Sequence, residues 1–164
     1  MYSTPNDRRK GGGLMKVKAL DLTKTFPRGP KEKLGGYIML ARTIDKARAK
    51  GAGTVGEYIY PCPLDEALLE FLGIQSDAFY RAVQQRDDKE MLAWVKANAM
   101  PLSAKEVEVW NEGFLARTPK SKESMQHFLE IRGRVAPGRA DVTAWVDLLD
   151  LEERRDVPLR AAAR

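Results

Sequence analysis

The side chains best able to do chemistry crowd into one stretch, Leu34 to Asp65, which reads LGGYIMLARTIDKARAK and then GAGTVGEYIYPCPLD. It holds the only cysteine of the chain, Cys62, set between Pro61 and Pro63. Pro63 suits the first position of a helix and Asp65 its first turn, so Cys62 falls at the N-cap. A thiol there meets free backbone amides and the positive end of the helix dipole, a setting that makes cysteines nucleophilic or redox-active. Two features oppose that role. Asp65 adds a negative charge one turn away, and cysteine is among the residue types most often buried for packing alone. A Cys–His mechanism also needs an imidazole within reach, and the single histidine, His127, lies far along the chain beside Met125, Phe128 and Leu129, which read as core.

Carboxylates offer a second chemistry, because Glu57 and Asp65 flank the hydroxyls of Tyr58 and Tyr60 and can serve as acid and base. The simpler reading is that Asp65 caps the helix, Glu57 is exposed, and the tyrosines bury their rings while their hydroxyls reach the surface. Arg42, Lys46 and Lys50 recur at helical spacing and form a basic face whose simplest fate is solvation; with Tyr37 and Tyr58 they make a candidate binding surface. Asp45 and Arg48, three apart, read as a surface ion pair. One Cys and one His build no metal site, and no phosphate-loop, nucleotide or triad pattern occurs, so neither metal nor cofactor is expected.

Charge is unevenly distributed. Residues 1–50 hold 13 Lys and Arg against 4 Asp and Glu, whereas residues 51–164 hold 15 against 19. A basic first third can meet nucleic acid through phosphate neutralisation, or it can be matched inside the fold by Asp141, Asp147, Asp150, Glu152, Glu153 and Asp156. The second is the favoured reading. The chain is long enough for one domain with a real core. A lone cysteine makes no internal disulfide, the N-terminus lacks a signal-peptide apolar run, and no stretch of about 18 apolar residues occurs, so a cytoplasmic protein without a membrane span is expected.

The elements that must position these residues read as helices throughout. Residues 1–15, with Pro5, three glycines and a basic cluster, predict a disordered tail, and Met15 is an alternative start. A domain over residues 16–156 and a flexible tail over 157–164 complete the expected organisation. A first helix spans Lys31 to Lys50, with Leu34, Ile38, Ala41 and Ile44 on one stripe; Gly35 and Gly36 weaken its first turn, so it can effectively begin at Tyr37. Gly56–Tyr60 predicts a short extended segment. Further helix starts are Cys62, closed by Gly73, then Ser76, Asp87 with Glu90, Ser103 with Glu106, Thr118 before Pro119, and Asp141 after Pro137–Gly138. Apolar residues at three and four residue spacings follow each start, including Trp94, Trp110 and Trp145. The sum is an all-α single domain of six or seven helices with at most one extended segment, near residues 56–60.

LDLTK, LGGYIMLARTIDKARA, GEYIYPCPLD, EMLAW and the closing DVTAWVDLLDLEE, in that order over roughly residues 20–155, resemble the successive motifs of an uncharacterised bacterial family, a domain of unknown function. The resemblance implies a small single-domain bacterial protein and carries no activity, cofactor or catalytic residue with it. The chain departs from the motif at Pro61, where a polar residue is expected. Three function classes follow. The favoured one is a non-catalytic binding or interaction domain using the 34–65 segment, with a protein or small-molecule ligand. The alternatives are an enzyme using Cys62, and nucleic-acid binding through the basic N-terminal half.

Overall fold

A computed structural model describes residues 17–159. The expected tail over residues 1–15, the alternative start at Met15, and residues 160–164 lie outside the described residues. Val157, expected to open the C-terminal tail, is buried, and its carbonyl accepts from Arg139 Nη1 at 2.8 Å.

Seven helices make up the described chain: α1 (Leu40–Ala52), α2 (Pro63–Leu72), α3 (Ser76–Val83), α4 (Asp88–Asn98), α5 (Ala104–Leu115), α6 (Lys122–Val135) and α7 (Trp145–Glu152). The protein is a single all-α domain. Its described residues contain no strand: the Gly56–Tyr60 run is irregular, and only Leu34 and Tyr37 form a β-bridge. Among the described residues no helix is long and apolar enough to cross a membrane.

Local chemistry explains most boundaries. Cys62 is the N-cap of α2, with Pro63 in the first turn, and Gly73 closes the helix in the left-handed conformation, as expected from the sequence. Asp87 with Glu90 and Ser103 with Glu106 form reciprocal caps for α4 and α5. The expected first helix starts nine residues late, at Leu40 rather than Lys31, after an irregular approach. Gly35 and Gly36 both take left-handed φ values, +58° and +88°, and turn the chain so that Leu34 and Tyr37 exchange both backbone hydrogen bonds at 3.0 Å. Asn111 from α5 pins this turn by donating to the Gly36 carbonyl at 2.8 Å. Met39, fully buried and also left-handed (φ +68°), then leads into α1.

Two other starts differ from the sequence reading. α6 begins at Lys122, not near Thr118, because Ser121 and Ser124 satisfy each other's backbone amides through their hydroxyls. α7 begins at Trp145, not Asp141: Asp141 is engaged by Arg139 at 2.9 and 3.0 Å, and the Trp145 N–H finds its acceptor in the Arg117 carbonyl at 3.0 Å.

The apolar interior is divided. A large core is built by α1 to α5 around Ile44, Leu68, Leu72, Phe79, Met91 and Phe114. A smaller one lies between α6 and α7, around Phe128, Ile131, Val142, Leu148 and Val157. α1 is enclosed, with every residue from Leu40 to Ala49 buried. The expectations of a solvated basic face and a surface Asp45–Arg48 pair are therefore overturned. Arg42 and Lys46 are 2% and 3% exposed, and only Lys50 reaches solvent. Asp45 instead accepts from the backbone N–H, Nε and Nη2 of Arg28 at 2.9 to 3.0 Å, and Arg48 pairs with Asp88 at 3.1 Å. Burial of so many charges is tolerable because each has a carboxylate or cation opposite it.

Part of the charge asymmetry is neutralised across the two cores. Lys31 reaches Asp147 and Asp150 of α7 at 2.7 and 3.0 Å, and Arg42 meets Glu153, just past α7, in a bidentate pair at 2.6 and 2.7 Å.

Candidate functional site

Between the two cores lies an open cleft of about 1280 Å³. One wall comes from α1, the 22–26 and 56–59 loops and the start of α2. It contributes Phe26, Arg42, Lys46, Glu57, Tyr58, Ile59, Cys62 and Leu64. The opposite wall comes from the α5–α6 connection, α6 and α7, with Arg117, Thr118, Lys120, Ser124, His127, Trp145 and Glu152. The volume exceeds the roughly 300–1,000 Å³ typical of small-molecule pockets.

Two polar clusters define the first wall. In one, Asp65 is fully buried behind Cys62, where its carboxylate accepts from Lys46 Nζ at 2.6 Å, Thr43 Oγ1 at 2.9 Å and the Cys62 N–H at 2.9 Å. Lys46 Nζ also lies 3.1 Å from Cys62 Sγ, and the thiol is half-buried on the cleft surface. In the other, Glu153 receives Arg42, Arg155 and the Tyr58 hydroxyl, the last at 2.8 Å. Burial pushes the Glu153 carboxyl up, but the hydrogen bonds and charge of Arg42 outweigh it and hold the group below the usual carboxylate range. Tyr58 is shifted upward, first by burial and then by donating to Glu153. Glu152, by contrast, is raised by burial and by the adjacent charge of Glu153.

The structure brings together six of the ten side chains singled out in the sequence: Arg42, Lys46, Glu57, Tyr58, Cys62 and His127 all line the cleft. Asp65 stands directly behind them. Tyr60 is turned away, with its ring near Phe79 and Tyr80 and its hydroxyl on the Ser76 carbonyl at 2.8 Å. Lys50 sits over the Tyr60 and Tyr80 rings and donates to the Tyr60 carbonyl at 3.1 Å. Tyr37 is core. His127 does not share the buried fate expected of its segment. It is exposed, its ring 6.5 Å from that of Trp145, and Met125 and Leu129 beside it are 42% and 44% exposed; only Phe128 faces inward.

Sequence reasoning missed the far wall. Arg117, Thr118, Lys120 and Ser124 carry no motif, and Thr118–Pro119 signals only a chain break. Glu153 was legible as one of several acids able to match the basic segment, but not as the shared acceptor on the cleft floor. No group of three or more His, Cys, Asp or Glu among the described residues is arranged to hold a metal ion.

Residues 24–155 match the model of a family described as Domain of unknown function (DUF5069). The chain belongs to that family. The match covers all of the cleft lining except Leu22 and Thr23, and all of the smaller core's buried residues except Val157. No curated protein matches the chain.

Proposed function

We propose that this domain is a non-catalytic binding protein whose ligand is a small molecule seated in the cleft between the two cores. The observation that carries the reading is the convergence of charged, hydroxylic, aromatic and thiol side chains on one opening of about 1280 Å³. This relocates the favoured sequence reading from an exposed basic patch to a concave site, since Arg42 and Lys46 are buried and paired. The same burial removes two of the three cations, Arg42 and Lys46, that nucleic-acid binding through α1 would use. Motif order supports a bacterial origin and the lone thiol a cytoplasmic address, which fractionation of the host cell checks.

The test uses Cys62 as a reporter on the cleft wall. A fractionated small-molecule extract should contain a component that slows iodoacetamide labelling of Cys62 and raises the melting temperature, with both effects lost in Leu64→Trp, which narrows the opening. Ligand effects that survive Leu64→Trp would place binding elsewhere and defeat the proposal.

An enzyme using Cys62 is a second reading, favoured by one observation: the thiol is partly accessible and has the Lys46 ammonium 3.1 Å from its sulfur. It expects alkylation of the folded protein to outpace that of the unfolded chain at neutral pH, and to slow in Lys46→Met. Slower labelling in the folded state removes it.

A further inference from the structure

We infer that the ligand of this cleft is an amphipathic anion, an apolar chain or ring body ending in a carboxylate or phosphate; the inference rests on the small-molecule reading above. Four Lys and Arg residues line the cleft, and they differ in what occupies them. Arg42 is saturated by Glu153, and Lys46 by Asp65 and Cys62. Arg117 and Lys120, three residues apart in the α5–α6 connection, have no carboxylate partner among the described residues; the Arg117 guanidinium makes a cation–π contact with Phe114, 5.9 Å from the ring centroid. The Thr118 and Ser124 hydroxyls line the same wall and can add hydrogen bonds to an oxyanion.

The acids facing the cleft do not cancel this pair. Glu153 is already matched by Arg42 and Arg155. The cations that act on Glu152 are Arg134, Arg42 and His127 rather than Arg117 or Lys120. Glu57 sits on the opposite wall, in the exposed 56–59 loop. His127 supplies a further group that can donate a hydrogen bond.

The apolar half of the ligand is argued from exposure. Ile59 and Phe26 are 68% and 42% exposed at the cleft, an unfavourable disposition for large apolar side chains unless something covers them. Leu64 and Trp145 continue this surface inward, on opposite walls. A ligand spanning from Arg117 and Lys120 to Ile59 and Phe26 would satisfy both halves of the lining and would use more of the cleft than a simple inorganic anion.

The test compares four ten-carbon probes below their micellar concentrations: decanoate, decyl phosphate, decanol and decyltrimethylammonium, titrated calorimetrically into the full chain with Cys62 labelling as an occupancy readout. Decanoate or decyl phosphate should bind at least about tenfold tighter than decanol and decyltrimethylammonium. The Arg117→Gln, Lys120→Gln double variant should weaken the anions by about tenfold while changing decanol by less than about twofold. Whichever anion binds tighter identifies the headgroup. Equal or tighter binding of decanol or the cation, with Cys62 protected, overturns the anion and leaves the cleft reading intact. An unchanged anion affinity in the double variant overturns it as well. If none of the four binds, the inference fails alone when an extract component still protects Cys62, and fails together with the cleft reading when nothing does.

Discussion

On the α1 wall of the cleft, Arg42 and Lys46 are almost fully buried and each is held by a carboxylate, whereas on the α6 wall Arg117, Lys120 and His127 are exposed with no carboxylate bound to them among the described residues. The same residue types thus do different work a short distance apart. Desolvated charges must be matched within the fold, so those of the first wall belong to stability and shape. Charges left in water keep their freedom to reorganise around a ligand, which is the role proposed for those of the second wall.

The sharpest way to break this contrast is Asp65→Ala. It strands the Lys46 ammonium in the interior and removes one of the two acceptors near Thr43 Oγ1, and the expected loss is about 3–5 kcal/mol by urea denaturation. Replacing both partners with Met at 46 and Leu at 65 should recover most of it, because two matched apolar groups leave no uncompensated charge.

Glu153→Gln comes next, at about 2–3 kcal/mol at neutral pH, since it weakens charged hydrogen bonds from Arg42 and Arg155. It also carries a pH signature. The folded carboxyl titrates below its unfolded value, so its contribution is present above that unfolded value, about 4.3, and is lost as pH falls through the lower folded one. Urea midpoints of wild type and Glu153→Gln should therefore converge on acidification, and parallel curves would show that Glu153 has no favourable linkage. Glu152→Gln should behave oppositely: the raised folded pKa of Glu152 means that it favours folding only at low pH, so the variant should gain relative stability as pH rises through that value.

Gly35→Ala should cost about 1–2 kcal/mol, because φ is +58° and the added Cβ would run into the Leu92 side chain. Gly36→Ala is strained in φ alone, with no atom near its Cβ, and should cost less; thermal melts of the two separate the steric part from the backbone part. Smallest of all, Arg117→Gln and Lys120→Gln should each shift stability by no more than about 0.5 kcal/mol. A larger loss would mean that the α6 wall is structural too, and the contrast between the walls would vanish.

Much of the helical plan is legible in the sequence because it is local. Cys62–Pro63 opening α2 and Gly73 ending it, and the Asp87–Glu90 and Ser103–Glu106 boxes, are set by backbone groups within a turn of one another. The failures mark the points where a distant partner intervenes. α7 begins at Trp145 because its first amide meets the carbonyl of Arg117, and α1 is shortened by a glycine turn that Asn111 holds from α5.

For the site, the sequence by itself determined that candidate side chains concentrate between Leu34 and Asp65, and that the basic segment has acids near the C-terminus to match it. Composition and local periodicity suffice for both. Only the tertiary structure decided which face of α1 is wet, because a helix enclosed on every side must bury its polar stripe as well as its apolar one. It also decided that Glu153 would be the shared acceptor for Arg42, Arg155 and Tyr58, and that Arg117, Lys120 and His127 would close the cleft opposite Cys62. Arg42 and Tyr58 stand 111 and 95 positions from Glu153, a juxtaposition fixed by how two separate cores pack, and no local pattern encodes it.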